Sequence, residues 1–312
     1  MDQDGELQGL RWWAGPGQDV GPGLARVASH PALPAAVRTL ARGMLELAAQ
    51  DQALDSVFKD GGRYIGATAA FHLNETAGLT LQALKATCLR SGLLSPGRAR
   101  ALLQVLEHLG CAERTSAASR AARYQLTAVF LAAWEAQLRA ALTAARELEP
   151  ELDLLLERAD GTVVKAFGRH HAEALLSNPT GDVRAPGFLR VFVHAHAGNQ
   201  IVWALLSGDD TAGFPPERTG PISISALSKR FGVSRVHISR MFQRAVNEGL
   251  APREDDGGLH FEPQTREEIQ LAYCWQLAQI LAAAARAARD HELSSAAAVG
   301  QKGAIVTGLT AH

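Results

Sequence analysis

Ser225-Ala-Leu-Ser-Lys-Arg-Phe-Gly-Val-Ser-Arg-Val-His-Ile-Ser-Arg-Met-Phe-Gln-Arg-Ala-Val-Asn-Glu-Gly-Leu250 decides how this chain is read. The stretch reads as two short helices joined by a tight turn, the second helix basic. Gly232 supplies the turn. Ser234 is placed to cap the second helix, its hydroxyl accepting from an N–H that otherwise lacks a partner. Leu227, Phe231, Val233, Ile238, Met241 and Ala245 fall on one inward stripe. Arg235, His237, Arg240, Gln243 and Arg244 are left facing outward. A helix narrow enough for a major groove, with long donors near its N-terminus, is what reading of base edges requires. The stretch therefore points to double-stranded DNA.

The 312 residues suffice for two domains or one large one, and 47% hydrophobic residues can build a core. Abundant Ala, Leu and Arg favour helix. The formal net charge of −1 argues against DNA binding by bulk attraction. It leaves a local patch open, because the charge that counts is the charge near phosphate. Between Pro221 and Asn247 lie Lys229, Arg230, Arg235, Arg240 and Arg244, and no Asp or Glu. Cys88, Cys111 and Cys274 lack metal-ligand spacing and read as buried structural thiols in a reducing compartment. The opening residues do not read as a signal peptide, and Ile269 to Ala285 is too short and too polar to span a bilayer. The expected location is the cytoplasm, at the nucleoid. P-loop, HExxH, GxSxG and dinucleotide fingerprints are missing. His170-His171 and His194-Ala-His196 do not share a helix face, so no metal, no cofactor and no enzyme activity is expected.

A second version of the unit lies upstream. Leu81 to Gly92 reads as a first helix and Ser95 to Gly110 as a second, with Ser95 at the N-cap and Pro96 at the first helical position. Ser95 precedes Gly110 by 15 residues, and Ser234 precedes Gly249 by the same interval. An offset of 139 pairs Leu102 with Met241, Leu106 with Ala245 and Arg114 with Arg253. The agreement of helix, turn, cap and end glycine implies an internal duplication. Each pair is followed by a hairpin pattern: Cys111 to Thr115 with Arg123 to Thr127, and Leu250 to Arg253 with Leu259 to Pro263 around Asp255-Asp-Gly-Gly258. A long helix follows each hairpin, roughly Ala128 to Leu148 and Arg266 to Arg289, with Trp134 and Trp275 in their first halves.

Helix pair, hairpin wing and long following helix resemble the winged helix-turn-helix of MarR-like bacterial transcription regulators. Arg120-Ala-Ala-Arg123-Tyr-Gln-Leu126-Thr127 is similar to that family's wing, and Leu227 to Leu250 to the helix-turn-helix of many repressors. The second wing departs from the pattern, since Arg253-Glu-Asp-Asp-Gly-Gly258 puts acid at the tip, where like charge repels phosphate. Members of that group pair two identical chains, whereas this chain carries both copies. The resemblance also implies a small-molecule effector between the DNA-reading and dimerising parts, which the sequence itself does not show.

The expected fold is mainly α with small β-hairpin wings: two winged helix-turn-helix units related by an internal pseudo-twofold. Residues 1–30 are expected to be loose, 31–150 and 151–293 to form the two units, and 294–312 to be a loose tail. The expected activity is sequence-specific transcription regulation by a monomer acting as a pseudo-dimer. Its helices 95–109 and 234–248 would sit in successive major grooves, about 34 Å apart, of an asymmetric operator. In the second head Arg235, His237, Arg240 and Gln243 would read bases, while Ser234, Ser239, Lys229, Arg230 and Arg244 hold phosphate. In the first head Arg98 and Gln104 would read, beside the short Gly97 and Ala101. Ser95, Lys85 and Arg100, with Arg120 and Arg123 on the wing, would hold phosphate. Two rivals share the fold: a tandem replication initiator, which binds iterated sites at one origin, and a protein–protein adaptor, which shows no salt-sensitive duplex binding.

Overall fold

The computed structural model describes residues 10, 13, 20–92, 94–115, 122–158, 161–177, 187–208 and 213–308, with side chains to residue 291 except at 20, 21, 52, 91, 154 and 158. The chain is mainly helical with one small antiparallel sheet. Its first half runs α1 (Val20–Ala28), α2 (Leu33–Gln50), α3 (Gln52–Phe58), α4 (Gly61–Glu75), β1 (Leu79–Thr80), α5 (Leu81–Ser91), α6 (Pro96–His108), β2 (Ala112–Arg114), β3 (Arg123–Leu126) and α7 (Ala128–Ala145). The second half runs α8 (Leu152–Arg158), α9 (Gly161–Ser177), a π-helical turn (Leu189–Val193), α10 (Gly198–Leu206), α11 (Ile224–Phe231), α12 (Arg235–Asn247) and α13 (Pro263–Gly308). The sheet order is β1-β3-β2, with Leu79 opposite Tyr124 and Ala112 opposite Leu126.

The same local chemistry shapes both helix pairs. The Ser95 hydroxyl accepts the Arg98 N–H at 3.4 Å, and the Ser234 hydroxyl accepts the His237 N–H at 3.1 Å. Each first helix ends on a left-handed glycine, Gly92 at φ 70° and Gly232 at φ 60°, a conformation that costs other residues about 1 kcal/mol or more. After each second helix the chain turns back identically. Cys111 N–H donates to Leu106 O at 2.8 Å and Leu250 N–H to Ala245 O at 2.9 Å; Thr127 N–H donates to Cys111 O at 3.0 Å and Glu262 N–H to Leu250 O at 3.2 Å. The second hairpin, read in the sequence as two strands, is reduced to a single antiparallel bridge, Arg253 with Leu259, and a second bridge joins Arg218, ahead of the helix pair, to His260. Its tip is a tight turn in which Gly257, at φ 85°, donates to Glu254 O. A Cβ on Gly258 would lie 2.6 Å from the Thr219 carbonyl oxygen, so the chain passes there only as glycine.

Long-range packing is reciprocal. α2 lies on α7 as α9 lies on α13; α2 also packs on α10 as α9 packs on α4; and α1 covers α13 as α8 covers α7. Each half thus contributes helices to the other, and the buried residues join into one core. The boundary at 150 is a boundary in sequence and not between separable bodies. At the centre Trp134, 1% exposed, is ringed by Phe58, Tyr64, Phe71 and Phe130 with centroids 5.5 to 6.3 Å away. Trp275, its expected counterpart, is only half-buried.

Helix reaches both ends of the described residues. Among the described residues before 30, Val20–Ala28 is helical, and Leu10, Trp13 and Val27 are buried. Trp13 covers the core and donates its indole N–H to Glu149 Oε1 at 3.0 Å, the same oxygen that pairs with Arg26 at 2.5 Å. The Gly-Pro content that suggested a loose segment was outweighed by tertiary burial. At the other end α13 continues to Gly308 rather than stopping near Arg289, because no proline interrupts it and Ala296, Ala297 and Ala298 favour helix.

Candidate nucleic-acid interface

α12 separates its residues by depth. Ile238, Met241, Phe242 and Ala245 are buried, with Phe231 and Val233 from the turn before it. Ser234, Arg235, Val236, Ser239, Arg240, Gln243, Arg244 and Asn247 are exposed. Arg235, Arg240 and Lys229 have no hydrogen bond or ion pair among the described residues. Arg230 lays its guanidinium 5.3 Å from the Phe231 ring, and Gln243 donates to Asn247 Oδ1 at 2.9 Å. Val236, 57% exposed, shares this face. Sequence reasoning passed it over because an apolar residue beside an inward stripe reads as core.

Two residues expected to be free for DNA already have partners. His237 is half-buried, its Nε2 3.0 Å from the His196 carbonyl and its ring 6.2 Å from the His196 ring. Arg244 is held by Glu248 at 2.7 Å, and Arg190 reaches the same carboxylate at 2.6 Å. Hydrogen bonds from Arg190 and Arg244 hold the Glu248 carboxyl below the usual range. The acid-free run ended one residue short of this partner, and nothing in the sequence placed Arg190 beside it.

In the first pair, Arg100 and Gln104 are exposed and Lys85 is half-buried, while Ser95 serves as the cap. Arg98 is not free: its guanidinium lies 3.2 Å from Asp60, a residue with no exposed surface. Arg98 and His237 occupy equivalent places, and both turn toward the residues that precede the helix of the adjoining layer, Asp60 before α4 and His196 before α10. The face that remains outward at equivalent positions is Gly97, Arg100, Ala101 and Gln104 on α6, against Val236, Ser239, Arg240 and Gln243 on α12. Each face carries one arginine, Arg100 or Arg240, but Gly97 and Ala101 of the first are shorter than Val236 and Arg240 of the second.

On the hairpins, Arg123 is exposed, and Arg120 lies outside the described residues. Arg114 stacks 5.6 Å from the Tyr124 ring. At the second hairpin Arg218 and His260 flank Glu254 at 3.3 and 3.7 Å, while Asp255 and Asp256 are exposed. An open cleft of about 740 Å³ lies at the C-terminal end of α12, lined among others by Arg190, Glu248, Leu250, Glu262 and Glu268. The chain matches no family model, no curated protein and no solved structure.

Among the described residues no cluster could hold a metal ion, and no helix is long and apolar enough to cross a membrane. The three cysteines are buried and form no disulfide. Burial pushes the Cys88 thiol up to about 12 and the Cys274 thiol to about 11, so neither is poised as a nucleophile.

Proposed function

We propose that the chain is a sequence-specific duplex-DNA-binding transcription regulator of tandem winged-helix type, a monomer that acts as a pseudo-dimer. The order helix, helix, helix, turn-back, long helix recurs in both halves with matching caps and turns, strand-paired in the first half and reduced to isolated bridges in the second, and supports the winged-helix reading. The reciprocal packing of the two halves supports a pseudo-twofold. One observation carries the function: Arg235 and Arg240 stand exposed and unpaired on the outer face of a helix whose other side is fully packed. Two uncompensated guanidinium groups of fixed geometry suit the acceptor pair O6 and N7 of guanine. Val236 beside them offers an apolar contact for a thymine methyl.

The two faces are unlike, so the operator has unequal half-sites, the stronger read by α12. Arg100, Lys85, Lys229, Arg230, Ser239 and Arg123 hold phosphate. Arg98 and His237 are withdrawn from the reading set by their inward contacts, and Arg244 contributes only where Glu248 releases it. An effector would find its candidate seat in the cleft beside Glu248, where it would compete with the Arg190–Glu248 pair.

Selection of bound duplexes from a random pool, followed by titration of wild type, Arg235→Ala and Arg240→Ala against the selected site and a scrambled one, tests the reading. Each substitution is expected to weaken the selected site by about 1–3 kcal/mol and the scrambled site far less. Enrichment of no sequence at moderate salt refutes the function and leaves the docking-module reading, for which Val236 is the exposed apolar contact.

A further inference from the structure

The starts of α4 and α10 meet at a junction on which both helix pairs lean. Asp60 is wholly buried there. Its Oδ1 accepts the Arg63 N–H at 2.9 Å and the Arg98 guanidinium at 3.2 Å. Its Oδ2 has Arg63 Nε and His196 Nδ1 each at 3.6 Å, ion-pair contacts too long for hydrogen bonds. His196 comes from the other half and carries His237 on its carbonyl and ring. One carboxylate therefore links Arg98, in the first turn of α6, through His196 to His237, in the first turn of α12.

The charged and titratable groups around it are Lys59 and Arg63 at the start of α4, Arg98 from α6, His194 and His196 from the segment after the π-helical turn, and His237 from α12. Burial alone would raise the Asp60 carboxyl. Contact with His196, the Arg63 N–H and the Arg98 and Arg63 guanidinium groups outweighs burial and holds it below the usual carboxylate range. A buried charge that loses such partners is strongly destabilised, so the carboxylate favours the one arrangement in which they surround it. The adjoining backbone leaves little play. A Cβ on Gly61 would lie 2.9 Å from Val193 Cγ1, and Gln200 donates to Asp55 across the same seam.

We propose that Asp60 and His196 are positioning residues that hold the first turns of α6 and α12 at one separation, and so set the half-site spacing the chain accepts. The spacing rests on the DNA reading above, whereas the separation does not. Nitroxide labels at His108→Cys and Asn247→Cys, exposed residues at the ends of α6 and α12, report the separation without DNA, because the native thiols are buried. Asp60→Asn keeps an oxygen to cap α4 and removes the charge. His196→Ala removes a half-exposed ring with its contacts to Asp60 and to the His237 ring, and leaves the carbonyl that His237 reaches.

In both variants the distance distribution between labels is expected to broaden at temperatures well below the variant's own, lowered thermal midpoint. Preference among selected operators that differ only in spacer length is expected to fall by about fivefold, the scale of one pair interaction. An unchanged distribution overturns the proposal, as does an equal loss of affinity at every spacer, which would make Asp60 a helix cap and nothing more. If no duplex is selected at all, the DNA reading falls, and the label distances still decide the positioning claim. If Asp60→Asn does not fold, His196→Ala decides it alone.

Discussion

Acidification should loosen the interface between the two halves before it touches most carboxylates, and His171 is the group responsible. His171 is 3% exposed on α9, where it meets α4. Its Nε2 lies 3.3 Å from the Tyr64 hydroxyl, its ring stacks on Phe167 at 5.7 Å, and its Nδ1 has no partner. Burial pushes it from 6.5 down to about 4. The unfolded chain therefore takes up a proton at higher pH than the folded one, and stability falls as pH drops through this window. At 1.36 kcal/mol per unit, the loss amounts to about 2 kcal/mol at pH 5 and about 3 kcal/mol at pH 4. Urea unfolding at pH 7.5 and pH 5 checks this, with His171→Phe as the control: the variant starts less stable, because Tyr64 loses its partner, yet should show a much flatter pH dependence. Equal slopes for wild type and variant would refute the argument, since the proton would then be entering elsewhere.

Other consequences follow from contacts already described. Gly66→Ala would drive a Cβ into Leu102 and to 2.8 Å from Leu94 Cδ2, whereas Gly43→Ala meets Ala140 at 3.4 Å. Thermal melting should show the first losing about 1–3 kcal/mol and the second close to wild type. Glu248→Gln should release Arg190 and Arg244 from their shared carboxylate; duplex binding then strengthens at low salt and its salt dependence steepens by about one phosphate contact, read by titration at several ionic strengths. Cys88, Cys111 and Cys274 should resist a thiol reagent in the native protein and react together when urea unfolds it, because all three are buried.

The legible parts of the chain were those governed by neighbours in sequence. Ser95, Ser234, Gly92, Gly232, Gly110 and Gly249 occupy the caps and turns that their chemistry demanded. The inward stripe from Phe231 to Ala245 is buried. The reading faltered where a residue's partner lies far away in sequence. His194 and His196 were weighed as metal ligands and set aside, and their link to Asp60 had no local signature beyond an Asp ahead of a glycine-led helix. Arg98 and His237 were assigned to a groove because helical spacing put them on the outer face, which ignores what packs against a first turn. The N-terminal helix was missed for a like reason: only Glu149 and the covering of α13 give it a place.

Sequence alone determined the caps, the left-handed turns and the buried stripe of the two helix pairs, because these are settled within a few turns of backbone. Only the tertiary structure decided which cations stay unpaired, through Asp60 and Glu248, and how the two halves share helices. Those outcomes depend on which surfaces burial brings together across more than a hundred residues, and no local pattern encodes that meeting.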